Sequence, residues 1–311
     1  MPRLSIGLPV YNGEAHLAEA LDSLVDQTFG DFELIISDNA STDRTAAICR
    51  RYAARDSRIR YVRRARNVGA TGNHNATAEM AESPLFKWAA HDDRYAPDLL
   101  ERCVAVLDEH PSVIASHAWT ALLDGEGRIG DRQRYPLATA SPHAPERFRS
   151  ALFDVGGDDA YAVFRTDVLR RVLPYGSYYR ADRVLVGSLT LHGPFQQVPD
   201  WLYFRRDEPD RATRAPSVRA WCATMDPRRA DRLRHPVPRL LAEYVLGYLT
   251  AIQRAPLSPA DRRACRRLVG EWLATRARPR RLRTEEEPVP EVYTGPVGGV
   301  VESAVGGEAS A

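Results

Sequence analysis

Leu4-Ser5-Ile6-Gly7-Leu8-Pro9-Val10 and Phe32-Glu33-Leu34-Ile35-Ile36-Ser37 are short apolar runs, and between them Leu17, Ala20, Leu21, Leu24 and Val25 recur at helical spacing. Runs apolar at nearly every position suit strands buried on both faces. Strand, helix and strand thus fit into a little over thirty residues, one βαβ unit. The pattern repeats with a helix over Arg44 to Arg55, a strand over Ile59 to Arg63, a helix near Asn73 to Ala81 and a strand over Leu85 to Ala89. Beyond Pro97, a helix over Leu99 to Glu109 and a strand over Val113 to His117 continue it. The implied fold class is α/β, a doubly wound, mostly parallel sheet.

The alternation then ends. Asp124-Gly125-Glu126-Gly127 marks a hairpin turn, residues from about Ser141 to Gly157 read as loop, and Ala160 to Arg165 reads as a strand. A helix over Asp182 to His192 carries Val184, Leu185, Leu189 and Leu191, and Gln197 to Phe204 is the last strand. From Arg205 the composition shifts to arginine-rich helices, Val237 to Arg254 and Pro259 to Ala277, a C-terminal helical appendage. The tail from Glu285 lacks any helical or strand period and is expected to be disordered.

Composition bounds the function. With 311 residues, 44% hydrophobic and 27% charged, the chain can bury a core without disulfides, and collagen, disordered and membrane classes are excluded. Of 43 basic residues only Lys87 is a lysine, which reads as coding bias. The 41 acidic residues interleaved with them argue against a nucleic-acid partner. Cys49, Cys103, Cys222 and Cys265 lie too far apart for a zinc knuckle or a secreted disulfide framework. Met1 to Ser5 has no signal-peptide pattern, and Leu240 to Ile252 is too short to span a bilayer and contains Glu243. A cytoplasmic location is expected, with room for peripheral contact at the inner face of the membrane; the oligomeric state stays open, a homodimer included.

In an open parallel sheet the ligand lies beyond the carboxyl ends of the strands. Three such ends are polar: Pro9-Val10-Tyr11-Asn12-Gly13-Glu14, Asp38-Asn39-Ala40-Ser41-Thr42-Asp43 and His91-Asp92-Asp93. The second also reads as a helix cap through Ser41 or Thr42. The third pairs carboxylates that repel unless a cation or hydrogen bonds offset them, and a divalent metal is the natural partner.

P-V-Y-N-G-E at 9–14, F-E-L-I-I-S-D-N-A-S-T-D at 32–43, N-V-G at 67–69 and F-K-W-A-A-H-D-D-R-Y-A-P at 86–97 together resemble the family 2 glycosyltransferases of the GT-A fold. The resemblance covers about residues 3 to 110 and, more weakly, 158 to 206. It implies that Pro9, Tyr11 and Glu14 lie along the nucleotide base and ribose, with Tyr11 flanking the base; Tyr11 also reads as a packing residue. Asp38 matches the first acid of the family's D-D-G-S-T-D stretch and Asn39 replaces the second, which leaves uridine, thymidine and guanosine open. Asn67, Gly69 and Asn75 match a loop near the nucleotide, although loop capping explains such residues as well.

Asp92 and Asp93 match the last two acids of the family's metal motif, while Ala90 occupies the first acidic position. Asp92 would coordinate Mg²⁺ or Mn²⁺ with the two phosphates and water; His91 is either a further ligand or a loop-shaping residue. Asp182 matches the catalytic base, with Ala181 in place of the preceding Glu, and its alternative is a helix N-terminal acid. Asp158 and Asp159 are rivals for acceptor binding or base work, and Trp201, Arg205 and Arg206 are expected to follow the last strand and close over the diphosphate. Arg262, Arg263, Arg266 and Arg267, opposite Leu268, Trp272 and Leu273, suit an amphipathic helix covering a core, or an anionic membrane or acceptor.

The resemblance divides the chain into a nucleotide-sugar half (1–110), an acceptor half (111–205), the appendage (206–280) and the tail (281–311). It implies an inverting, metal-dependent transferase moving a sugar from a nucleotide-diphospho sugar, UDP or TDP favoured, to a hydroxyl of a glycan, lipid-linked saccharide or natural product. A nucleotidyltransferase fits less well, since residues 9–14 hold one glycine and no Lys or Arg, and a dehydrogenase lacks G-x-G-x-x-G. The missing acids at Ala90 and Ala181 keep open a sugar-nucleotide-binding scaffold.

Overall fold

The computed structural model describes residues 1–124, 126–134, 137–154, 159–207, 215–277 and 291–292. Strands β1 (Leu4–Val10), β2 (Phe32–Asp38), β3 (Ile59–Arg63) and β4 (Leu85–Trp88) are parallel, in the order β3-β2-β1-β4. Every residue of β1 is buried, as a strand sandwiched between helices requires. Its alternation decides which layer each residue enters. Leu4, Ile6, Leu8 and Val10 join one core with helices α1 (Leu17–Val25), α2 (Thr45–Ala53) and α4 (Leu99–Glu109). Ile35, Phe86 and Trp88 face the opposite core with α3 (Gly69–Met80).

A mixed half continues the sheet. The short β5 (Arg94–Tyr95) pairs antiparallel with β9 (Phe195–Arg206), which runs parallel to β6 (Ala115–Leu123). On its other side β6 forms a hairpin with β7 (Ile129–Arg134) and meets β8 (Val163–Arg165), which also pairs with β4. Helices α5 (Ala144–Phe153), α6 (Thr166–Val172) and α7 (Ala181–Thr190) pack around this half, followed by α8 (Val218–Met225), α9 (Val237–Arg254) and α10 (Pro259–Ala277).

The structure corrects several sequence expectations. Residues 144–153, expected as loop, form α5, whose buried side holds Arg147 and Ser150 beside Phe148 and Leu152. That polar pair hides the helical period; the Arg147 guanidinium is satisfied by the carbonyls of Thr190, Ser141 and Pro142 at 2.8, 2.8 and 2.9 Å. Helix α3 starts at Gly69 rather than near Asn73, because Asn67 Oδ1 accepts the Gly69 amide at 2.8 Å and turns the chain earlier. Gly69 has φ +83° and lies so close to α8 that a Cβ there would be 2.3 Å from the Met225 carbonyl oxygen, so only glycine fits. The last strand extends two residues beyond Phe204, to Arg206.

Helices α9 and α10 share one core with α5 and α7. Tyr244 and Tyr248 meet Trp272 edge-on at 5.3 and 5.7 Å, and Phe148 meets Tyr248 at 5.8 Å. The tail expected to be disordered lies outside the described residues except for β10 (Glu291–Val292), which pairs antiparallel with β7. No helix among the described residues is long and apolar enough to cross a membrane.

Candidate active site

The carboxyl ends of β1, β2 and β4 converge through their loops. Val10 and Asp38 are register neighbours, so the segments that leave them run side by side. Asn12, at φ +50°, donates its amide to Ser41 Oγ at 2.9 Å and accepts from the Thr42 amide at 2.9 Å. The Gly13 amide donates to Thr45 Oγ1 at 2.8 Å, and Glu14 Oε2 accepts the Arg44 amide at 2.8 Å. A Cβ at Gly13 would lie 2.6 Å from His91 Cδ2, so this loop also abuts the loop after β4. Pro9 is buried within β1, whereas Tyr11 at its end is 44% exposed.

Asp38 and Asn39 brace these loops from below. The fully buried Asp38 carboxylate accepts the Ser41 amide and the Tyr61 hydroxyl, both at 2.8 Å, and lies 3.4 Å from Arg63 Nε. Asn39 accepts the Val68 amide at 2.9 Å and donates to Asn67 Oδ1 and the Gly69 carbonyl at 3.0 and 3.2 Å. Asn75 spends both ends of its amide on one residue, accepting from the Tyr175 amide at 2.7 Å and donating to the Tyr175 carbonyl at 2.9 Å. It thereby ties α3 to the segment that leads into α7.

After β4 the expected metal acids diverge. Asp93 is buried, accepting the Tyr203 hydroxyl and the Arg206 amide, the latter at 2.9 Å. Arg206 is equally buried, and its guanidinium donates to the Asp92 carbonyl at 2.9 Å and to Glu19. Arg206 thus holds the Asp92–Asp93 backbone from within. Asp92 and His91 remain half-buried at the rim. Trp201 and Arg205 lie inside β9, not beyond it, because the strand continues to Arg206; Trp201 is buried against Trp119, ring centroids 4.9 Å apart.

Asp182 sits in the first turn of α7 behind Arg180, whose φ is +52°. Its Oδ1 is shielded from solvent and has no hydrogen-bond partner among the described residues. Burial holds the carboxyl above the ordinary aspartate range, partly countered by the Arg183 amide and the nearby Arg183 and Arg180 charges. Tyr175 neighbours it: burial and then the Asp182 charge raise the Tyr175 hydroxyl well above its usual value. The Tyr175 ring meets His74 edge-on at 5.8 Å and tilts against Trp88 at 6.3 Å, linking α7 to the end of β4. His74 is held neutral, its pKa lowered to about 4 by burial, and its Nδ1 donates to the Ala70 carbonyl at 2.8 Å. Asp159 is buried with Oδ1 3.4 Å from His117 Nδ1; Asp158 lies outside the described residues.

No cluster of three or more His, Cys, Asp or Glu stands ready to hold a metal among the described residues. Hard divalent cations are often held by one or two carboxylates plus substrate phosphates and water. The half-buried Asp92, in the loop that abuts the one after β1, fits that arrangement, whereas a preformed protein cage does not. Sequence reasoning missed the clamps Tyr95, Tyr203 and Tyr61: the hydroxyl of Tyr95 accepts the Ala90 amide at 2.8 Å and donates to the Ala90 carbonyl at 3.2 Å. Their only sequence signal is an aromatic with a polar tip next to a strand end.

Residues 5–173, more than half of the chain, match the family described as Glycosyl transferase family 2. The putative glycosyltransferase EpsE of Bacillus subtilis (strain 168) is 34% identical over 110 residues, 35% of this chain and 40% of that protein. The glycosyltransferase GlyA of Streptococcus pneumoniae serotype 4 is 26% identical over 125 residues, 40% of this chain and 18% of that protein. The match thus spans less than half the length of these curated relatives. Residues 1–349 of S. aureus TarS, solved with UDP-GlcNAc, align with TM-score 0.64 and 19% identity over 87% of this chain and 71% of that one. The mannosyltransferase PcManGT from Pyrobaculum calidifontis, solved with GDP-Man and Mn²⁺, aligns with TM-score 0.51 and 18% identity over 89% of this chain and 79% of that one. The shared fold is of the GT-A type. With the four motif stretches, the doubly wound sheet and the family match in agreement, the chain belongs to glycosyl transferase family 2.

Proposed function

We propose that the protein transfers a sugar from a nucleotide-diphospho sugar, UDP- or TDP-linked, to an acceptor hydroxyl with inversion at the anomeric carbon. The observation that carries this reading is Asp182, a shielded carboxyl with an unpartnered oxygen and a raised pKa, next to Tyr175, which Asn75 of α3 holds by its backbone. The acceptor oxygen attacks the anomeric carbon as the bond to the diphosphate breaks. Its proton passes to Asp182, which must stand on the side opposite the leaving group. The base and ribose lie along Pro9, Tyr11 and Glu14, over the brace formed by Asp38, Asn39, Asn67 and Gly69. Asp92 holds Mg²⁺ or Mn²⁺ together with the diphosphate, and the cation supplies charge stabilisation to the departing phosphate.

UDP-GlcNAc in TarS and GDP-Man with Mn²⁺ in PcManGT support a nucleotide-sugar donor and a divalent cation. Acceptor contacts fall to Asp158, Asp159 and the acceptor half at 111–205, with the nucleotide half at 1–110, the appendage at 206–280 and the tail at 281–311. The site of action is cytoplasmic, with the arginine-rich helices available to an anionic surface. The test is a panel of UDP, TDP and GDP with and without Mn²⁺, read by thermal shift, followed by turnover of the matching donors. Wild type and Asp182→Asn are expected to gain the same shift, Asp92→Ala to lose the Mn²⁺-dependent part, and only wild type to turn over donor. Undiminished turnover by Asp182→Asn would remove the base assignment.

A further inference from the structure

Forty-two of the 43 basic residues are arginine, and the one exception, Lys87, is 3% exposed in the middle of the sheet on β4. Coding bias accounts for arginine on the surface; it does not account for the single position that stays lysine. The surroundings do. Lys87 Nζ donates to the Tyr161 carbonyl and sits 5.4 Å from the ring centroid of Tyr95 and 5.6 Å from that of Tyr203. These two rings stack on each other, centroids 5.6 Å apart and planes 11° apart. A compact ammonium lies within reach of both rings at once. A guanidinium would bring five donors on a rigid plane into a space whose remaining cavity is about 10 Å³, roughly the room of one water.

Both rings end on the loop after β4. The Tyr95 hydroxyl clasps the amide and carbonyl of Ala90, and the Tyr203 hydroxyl donates to Asp93, which also accepts the Arg206 amide. Arg206 in turn holds the Asp92 carbonyl. The ammonium therefore underlies both tyrosines that fix the backbone on either side of Asp92. We propose that Lys87 is a positioning residue for sugar transfer: by seating Tyr95 and Tyr203 it sets the Ala90–Asp93 loop that presents the Asp92 carboxylate to the nucleotide diphosphate and its divalent cation. This rests on the assignment of Asp92 above, and it gives the lone lysine a role that arginine cannot fill.

Methionine matches the length of the lysine stem without its charge, while arginine keeps the charge and changes the shape. The experiment is calorimetric titration of the full chain with UDP and with GDP, each with and without Mn²⁺, for wild type, Asp92→Ala, Lys87→Met and Lys87→Arg. Lys87→Met is expected to melt cooperatively and keep metal-free nucleotide binding, but to bind Mn²⁺ with nucleotide about ten-fold more weakly or worse, as loss of groups that orient a metal ligand does. Lys87→Arg is expected not to restore it. A wild-type Mn²⁺ response in either Lys87 variant, with Asp92→Ala deficient, overturns the proposal. If wild type shows no Mn²⁺ response, or Asp92→Ala retains it, the Asp92 assignment fails and takes the role of Lys87 with it. Should Lys87→Met not fold, Tyr203→Phe decides the matter: it keeps the ring and deletes only the hydroxyl on Asp93. The same weakening is expected, and an unchanged Mn²⁺ response overturns the proposal.

Discussion

Asp182 shows how one side chain is tuned by its enclosure. Its carboxyl titrates above the ordinary value of 3.8 because burial penalises the anion, and Oδ1 finds no hydrogen bond among the described residues to offset that. A folded-state pKa above the unfolded one favours folding only while the group is protonated, so the ionised carboxylate costs stability as pH rises. Asp182→Asn is therefore expected to melt above wild type at neutral pH, with the gap closing as pH falls below 3.8, where both forms are neutral; scanning calorimetry across that range checks the sign. The same variant is expected to lose about 10²- to 10⁴-fold in kcat with little change in nucleotide affinity, the loss typical of removing a general base. Asp38 contrasts with it. Its carboxylate is wholly buried but accepts two hydrogen bonds and faces Arg63, so its work is to hold the β2 loop.

At the scale of elements, α3 connects the loop after β2 to the segment that leads into α7. Its first turn is tied to β2 through Asn39, Asn67 and Gly69, and its Asn75 grips both backbone polar groups of Tyr175 ahead of α7. Asn75→Ala leaves that backbone amide and carbonyl without their partner, which costs on the order of 1 to 3 kcal/mol. The variant is expected to lower the unfolding free energy from a urea melt by that amount and reduce kcat by loosening Asp182, while leaving nucleotide binding near wild type; equal loss of nucleotide binding would place the effect in α3 as a whole. The parallel strands and helices α4, α9 and α10 were legible in the sequence because their apolar residues follow a simple period. Helix α5 was not, because Arg147 occupies its buried side and finds its partners on residues 141, 142 and 190. No local period encodes such a long-range satisfaction.

Over the whole molecule, the C-terminal helices complete the fold. Trp272 of α10 packs on Tyr244 and Tyr248 of α9, which share a core with Phe148 of α5 and Val184 of α7, the helix whose first turn holds Asp182. Trp272→Ala is expected to cost about 3 to 5 kcal/mol in a urea melt and to weaken turnover along with stability, since the cavity it opens lies against Tyr244 and Tyr248 in the core that α7 shares. A melt in which α9 and α10 unfold first, with donor turnover intact, would show instead that this core is uncoupled from the site. By itself the sequence determined the doubly wound half of the sheet and the family, because apolar runs and motif order are local properties of the chain. Only the tertiary structure decided which acid after β4 is buried and which stays half-exposed. Asp92 and Asp93 are adjacent and alike in sequence, and Asp93 is drawn inward because Tyr203 and the Arg206 amide arrive from β9, more than a hundred residues away.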